Sequence, residues 1–150
     1  MTIDELYRFV QFLANKDQRG FIKPSEFNLA ATRAQLDIIE EKFKSENTHK
    51  NLDDLAPVVE KATITYNSAN NGAFSFPTRF LHFISMTFNG STVELLGHEK
   101  LQNRLSSELV APTAAYPVAV MIDDGFEIFA SSTEATSGTC IITYIKEPLA

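Results

Sequence analysis

The sequence predicts an α+β fold in which a helical segment precedes a β-rich segment. Apolar side chains recur every three or four positions before Pro57, as they do in helices, and mostly every second position after it, as they do in strands. A chain of 150 residues suits one domain that buries about two-thirds of its unfolded surface. We therefore expect a single structural domain, with a helical part at 1–56 and a β-rich part at 57–150.

The helical part is predicted to be a helical hairpin. Helix 1 spans about 3–14, and Thr2 followed by Glu5 is a capping-box signature at its start. Helix 2 spans about 25–44, with Pro24 in its first turn, where a missing amide hydrogen costs nothing. The apolar face of helix 1 holds Ile3, Leu6, Tyr7, Phe9, Val10 and Leu13, and that of helix 2 holds Phe27, Ala30, Ala31, Ala34, Ile38, Ile39 and Phe43.

The β-rich part is predicted to form an antiparallel sheet with one short helix. Asn89-Gly90 favours a two-residue hairpin turn because both residues accept positive φ. It joins a strand at 80–87 to a return strand at 92–96, and one face of the first strand holds Phe80, His82, Ile84 and Met86. Further elements are a helix at 99–109, a second hairpin of 116–122 with 126–129, a hairpin tip at 131–138 and a closing strand at 139–145.

Composition excludes several classes of function. The net charge of −6 and the scattered Lys and Arg residues disfavour a duplex DNA binder, which needs a basic stripe. Cys140 is the single cysteine, so neither an internal disulfide nor a cysteine-based zinc site can form, and we expect it to be a buried core residue. The apolar runs are too short to span a bilayer, and no signal peptide is expected. We expect no membrane association.

Residues 15–26 have the outline of a calcium-binding EF-hand loop but lack most of its oxygen ligands. Arg19 brings a cation to the fifth position, whereas five residues comply with the pattern: Asn15, Asp17, Gly20, Ile22 and Glu26. We therefore interpret the segment as a structural turn between two helices. A calcium-dependent EF-hand-like regulatory module remains the alternative.

Catalytic and metal sites are not predicted. His49, His82 and His98 lack the four-residue helical spacing of zinc proteases. Asp123-Asp124 precedes Gly125 and indicates turn chemistry. We expect no cofactor, no metal and no enzymatic activity; a small hydrolase using His82 or His98 is a weaker alternative.

Seven segments of the chain have distinctive sequences. They are LYRFVQFLANK at 6–16, GFIKPSEFN at 20–28, FPTRFLH at 76–82, VAPT at 110–113, YPVA at 116–119, FEIF at 126–129 and TYIKEP at 143–148. Together these segments resemble a family of small virion structural proteins of tailed phages of Bacteroidetes, including crAss-like phages. The resemblance touches most of the chain, and one departure is Ala130, where the family pattern has proline after Ile128-Phe129.

The resemblance implies a head–tail connector or ring component of the virion, assembled in the host cytoplasm. Its copies would form a cyclic homo-oligomer near the portal and neighbouring connector or tail proteins, around a channel for passing DNA. An acidic chain suits a wall past which DNA slides without sequence-specific binding. We expect the two helices and the 15–26 turn to form the assembly surface, with contact residues Arg19, Phe21, Lys23, Glu26, Arg33 and Pro148.

Overall fold

The computed structural model describes residues 2–16, 22–44, 54–66, 73–131 and 137–148. The α+β class is confirmed: two N-terminal helices precede two four-stranded sheets and one short helix. The chain divides into two compact units. The helical unit comprises Met1–Pro57 with Pro148–Ala150, and the β unit comprises Val58–Glu147.

Helix α1 runs over Ile3–Lys16 and begins at the predicted capping box. The Thr2 backbone N–H donates to Glu5 Oε2 at 2.7 Å, and the Glu5 N–H donates to Thr2 Oγ1 at 3.3 Å. Two amides that a helix start leaves without a partner are thereby satisfied. This prediction is confirmed, and the helix extends two residues beyond the expected end.

Helix α2 runs over Pro24–Lys44 and is tied at its far end by an ion pair of 3.1 Å between Lys42 and Asp54. Its predicted apolar face is only partly buried. Phe27 and Ile39 are buried, whereas Ile38 is 57% exposed and the alanines at 30 and 34 are exposed. Consecutive residues of a helix point about 100° apart, so one neighbour does not cover both Ile38 and Ile39.

Sheet A has the strand order β1-β8-β3-β4 and is antiparallel throughout. A short 3-10 turn at Ala56–Val58 leads into its first strand. β1 has no counterpart among the predicted strands, and β8, expected to close the sheet, lies inside it between β1 and β3. The strands are β1 Val59–Tyr66, β3 Phe80–Phe88, β4 Ser91–Thr92 and β8 Gly138–Lys146.

Sheet B has the order β2-β7-β6-β5, and its β5–β6 pair is parallel. Parallel neighbours need a crossover connection, which helix α3 at His98–Leu105 supplies. β2 also has no predicted counterpart. The strands are β2 Ala73–Ser75, β5 Glu94–Leu96, β6 Val118–Ile122 and β7 Gly125–Phe129.

The predicted return strand at 92–96 is wrong as a single element, because the chain changes sheets at Val93. The Val93 N–H donates to the Met86 carbonyl of sheet A at 3.0 Å. One residue later, the Glu94 N–H donates to the Pro117 carbonyl beside sheet B at 3.2 Å. A hydrogen-bond partner distant in sequence thus decides where β4 ends and β5 begins.

Both predicted hairpin turns form. Asn89 and Gly90 have φ values of 48° and 85°, and Phe88 pairs with Ser91 across them. Positive φ at both central residues is the signature of a type I′ turn. In the second hairpin, Ile122 pairs directly with Gly125, so the turn consists of Asp123-Asp124.

The predicted faces of β3 are partly wrong because its register against β8 shifts twice. The shifts fall between Phe80 and His82 and between Phe83 and Ser85. Each shift adds one residue to β3 and reverses which side chains face inward. As a result, Phe80, Phe83, Met86 and Phe88 belong to the core between the sheets or pack against it, whereas His82 and Ile84 lie outside that cluster.

The β unit consists of three layers, with sheet B between sheet A and helix α3. β6 and β7 are therefore buried on both faces and have nearly continuous apolar sequences. The core between the sheets contains Phe74, Met86, Phe88, Val93, Ala119, Phe126, Ile128, Cys140, Ile142 and Tyr144. The core under α3 contains Leu96, Leu101, Val118, Val120 and Phe129, with Leu105 and Ile122 packed against it.

Phe126 is the centre of an aromatic cluster that joins the two sheets. Its ring is fully buried, and its centroid lies 5.8 Å from that of Phe80 and 5.7 Å from that of Phe83, both on sheet A. Within sheet B it lies 5.4 Å from Phe74, and it meets Phe76 edge-on at 5.0 Å. Such contacts add to the free energy gained by apolar burial alone.

Two further predictions about the connections are corrected. The short helix ends at Leu105 rather than 109, so Leu109 lies outside it and is 96% exposed. The predicted hairpin tip at 131–138 instead joins β7 of sheet B to β8 of sheet A. Its residues 132–136 lie outside the described part of the chain.

We predict that Phe126→Ala lowers the free energy of unfolding by about 3–5 kcal/mol, because it removes buried area and leaves a cavity. Urea denaturation followed by circular dichroism measures this change. Phe12→Ala is the matched control, since Phe12 is 64% exposed and its truncation is expected to change stability by less than about 1 kcal/mol. Equal losses in the two variants would contradict the central role of Phe126.

We predict that Gly125→Ala destabilises the β unit by about 1–3 kcal/mol through overpacking. A Cβ at this position would overlap the Phe74 carbonyl group, because β2 lies directly against Gly125. Gly97→Ala is the control, since a Cβ there meets nothing within 4 Å. Thermal unfolding compares the two, and a wild-type transition for Gly125→Ala would refute the steric argument.

Candidate assembly surface

Ile22, which lies two residues before α2, is fixed to α1 by side-chain hydrogen bonds. The Tyr7 hydroxyl donates to the Ile22 carbonyl at 3.1 Å, and Gln11 Nε2 donates to the Tyr7 hydroxyl at 2.7 Å. The Tyr7 ring also meets Phe27 edge-on, with centroids 5.2 Å apart. These contacts position the start of α2 beside the middle of α1.

The structure brings some of the predicted contact residues together. Lys23 and Glu26 are exposed at the start of α2, and Arg33 is exposed on the same side two turns later, about 10 Å along the axis. Pro148 is half-buried after the end of β8. Arg19 and Phe21 lie outside the described residues.

Glu26, the last position of the EF-hand outline, is a helix-capping residue. Its Oε2 accepts the backbone N–H of Lys23 at 3.1 Å, which reproduces the second half of a capping box. A carboxylate in the first turn also interacts favourably with the helix dipole. The other oxygen-bearing positions of the outline include Asp17, which the structure does not describe, and Asn15, whose side chain is likewise outside the description.

Helix α1 exposes more of its apolar residues than the sequence pattern predicts. We call Ile3, Leu6, Phe9, Phe12 and Leu13 the α1 apolar face. Tyr7, which contacts Phe27 of α2, and Gln11, which contacts Tyr7 and Ile22, lie at one border of this face. The five residues cover about 180° of the helix, wider than the roughly 100° stripe that one neighbour buries. Their exposed fractions are 64%, 37%, 54%, 64% and 46% in sequence order.

Phe12 is the residue by which the wider apolar face of α1 could have been recognised from the sequence. It lies outside the predicted apolar face of helix 1, yet it is as exposed as Ile3. Adding it widens the apolar arc beyond the part that faces α2. Apolar arcs of that width predict a second neighbour.

The other residues considered for catalysis or metal binding lie on different elements. Cys140 is fully buried, and burial raises the pKa of its thiol to about 12, which fits the predicted core role. His82 is half-buried in β3, His98 is exposed at the start of α3, and His49 lies outside the described ranges. Within those ranges, no group of three or more His, Cys, Asp or Glu side chains is arranged to hold a metal ion.

Comparison of the chain with protein-family models and with curated proteins gives no match to either. No role of any residue above is therefore inherited from a relative. In the described segments, no helix has both the length and the apolar character that crossing a membrane requires.

We predict that Glu26→Ala lowers the stability of the helical unit by about 0.3–1.5 kcal/mol, because the Lys23 amide loses its acceptor. Glu26→Gln retains a side-chain oxygen and is expected to lose less. Helical circular dichroism during urea unfolding measures both. A Gln variant as unstable as the Ala variant would show that the charge, rather than the capping bond, matters.

Proposed function

We propose that this chain is a non-enzymatic structural protein of a tailed-phage virion, a head–tail connector or ring component beside the portal. The observation that carries the proposal is the α1 apolar face, whose five large side chains are exposed. Contiguous exposed apolar surface of several hundred Å² marks an interaction site in a soluble protein. The helical unit therefore has the properties of an assembly element.

The β unit supports a role as a rigid body. Two of the segments that carry the family resemblance, FPTRFLH and TYIKEP, bond to each other across the fold. The Glu147 N–H donates to the Arg79 carbonyl at 2.8 Å, and the Arg79 guanidinium donates to the Glu147 carbonyl. Arg79 has a φ of 63°, a conformation that costs a non-glycine residue about 1–2 kcal/mol. These two bonds offset that cost and hold the two segments together, so the segments have a structural role.

Ring formation needs two different surfaces on each copy, joined head to tail until the rotation closes. Lys23, just before α2, and Glu26 and Arg33 on α2 provide exposed charged side chains that one such surface can use. The net charge of −6 suits a channel wall near DNA, because like charge keeps the passing duplex from adhering.

The calcium-dependent alternative would require Glu26 to leave the Lys23 amide that it caps. Calorimetric titration separates the two functions. Micromolar calcium binding that Glu26→Gln abolishes would favour the regulatory module.

We predict that the chain is a stoichiometric component of the virion and that Arg33→Glu reduces its incorporation at least tenfold, because a charge reversal in a desolvated contact costs more than about 1.4 kcal/mol. Phage lacking the gene is complemented with each variant, and purified particles are analysed by mass spectrometry and cryo-electron microscopy. Lys100→Glu, an exposed reversal on α3, is the control and should be incorporated normally. Absence of the wild-type chain from particles would overturn the proposal.

A further inference from the structure

Strand β1 is a long and regular edge of sheet A. Within the described part of the chain, it pairs with β8 alone, over eight residues and without a register shift. Alternate residues of an antiparallel strand direct both backbone groups to the same side, so about half of the residues of β1 direct N–H and C=O away from β8. Such a row of backbone groups is a template for one more strand.

The other edge strands of the two sheets are short. β4 has two residues, and β2 and β5 have three each. β1 has eight residues and contains neither a proline nor a bulge. Its two charged residues are Glu60, which is paired with Lys146 of β8 at 3.1 Å, and Lys61. Protected edges are short, bulged, or carry proline or several charges. β1 is therefore the edge at which this fold accepts another strand.

The side chains of β1 determine which strand fits beside it. Ala62 and Ile64 pack against the core between the sheets but are only partly buried. Lys61, Thr63 and Thr65 alternate with them and are exposed. Because side chains alternate along a strand, an added strand needs apolar residues on the core side and polar residues on the other. β1 itself has this order, so a second copy of the chain presents a strand that fits.

We propose that β1 pairs antiparallel with β1 of a second copy of this chain, about a two-fold axis at Thr63. On the exposed face, this axis places the two Thr63 side chains opposite each other, and cross-strand Thr–Thr pairs stabilise a sheet. On the core side it places Ala62 of each copy opposite Ile64 of the other, which extends the burial of both. Two four-stranded sheets thereby become one continuous sheet.

Neighbouring registers fit less well. An axis at Ala62 would place Glu60 opposite Ile64 on the core side and desolvate a carboxylate. An axis midway between two residues would place core-side residues opposite exposed ones, because side chains alternate between the two faces. With the axis at Thr63, the two Lys61 residues lie about 13 Å apart along the strands, beyond the screening length of about 10 Å. Charge repulsion therefore does not oppose this register.

This inference does not rest on the proposed virion role. An isologous contact closes with two copies and does not propagate, whereas a ring needs heterologous surfaces. The dimer is measured with the purified chain, and the virion role is measured in particles. Either result can fail while the other holds.

The test is sedimentation velocity of the full chain over a range of concentrations. We expect a reversible dimer, because the contact involves one strand of each copy, whereas a stable interface buries about 800 Å² per partner. The dissociation constant should rise at least tenfold in Thr63→Lys and in Thr63→Glu, since each places like charges face to face at the axis. Thr139→Lys, exposed on β8 one strand away from the edge, is the matched control and should dimerise as the wild type does.

Mixing the two variants tests the register. Equal amounts of Thr63→Lys and Thr63→Glu should restore the dimer, because opposite charges then face each other at the axis. A wild-type monomer at every concentration would overturn the proposal and leave the β1 edge to a strand of another protein. Wild-type dimerisation of Thr63→Lys, or no recovery in a mixture of variants that circular dichroism shows to be folded, would also contradict it.

Hydrogen–deuterium exchange locates the contact. Amides of β1 that point away from β8 should exchange more slowly at concentrations above the dissociation constant than below it, because the added strand accepts their hydrogen bonds. Amides of β5, an edge strand of sheet B, are the internal control and should exchange equally at both concentrations. Slowing confined to α1 would place the contact on the helical unit and overturn the proposal.

Discussion

The packing of Phe126 between the two sheets is the contact on which the β unit depends. Its ring meets Phe80 and Phe83 of sheet A while its backbone pairs with β2 and β6 of sheet B. The neighbouring Gly125 has no side chain, so β2 can lie directly against β7. Without that close approach, Phe74 would move away from the cluster and the sheets would lose part of their common core.

The aromatic cluster also explains the local strain at Arg79. The 4→1 hydrogen bond from the Phe80 N–H to the Pro77 carbonyl, 3.1 Å long, closes a tight turn just before Phe80 enters the cluster. Phe76 and Phe80 stack across this turn with centroids 4.5 Å apart. This stack and the turn hydrogen bond flank Arg79, which has a positive φ, and the bonds between Arg79 and Glu147 anchor the turn to the end of β8. Strain of this kind persists only where surrounding contacts determine the conformation.

The helical unit is organised by different forces. Capping bonds at Thr2–Glu5 and Lys23–Glu26 and the Tyr7 contacts fix its geometry with polar groups. These bonds require little apolar burial, so the α1 apolar face remains exposed. A unit whose internal order comes from hydrogen bonds can offer its apolar residues to another chain. The virion proposal uses this separation between the bonds that order α1 and the apolar residues that α1 exposes.

The sequence by itself determined the features that depend on neighbours within about four residues. These are the start of α1 at Thr2 and Glu5, the start of α2 near Pro24, the Asn89-Gly90 turn and the α+β class, because their hydrogen bonds and φ preferences are local. It also placed Lys23 and Glu26 at the start of α2. Only the tertiary structure decided the change of sheets at Val93 and the two register shifts of β3. Each of these depends on a hydrogen-bond partner that is distant in the chain, and the alternating pattern of a strand does not specify that partner.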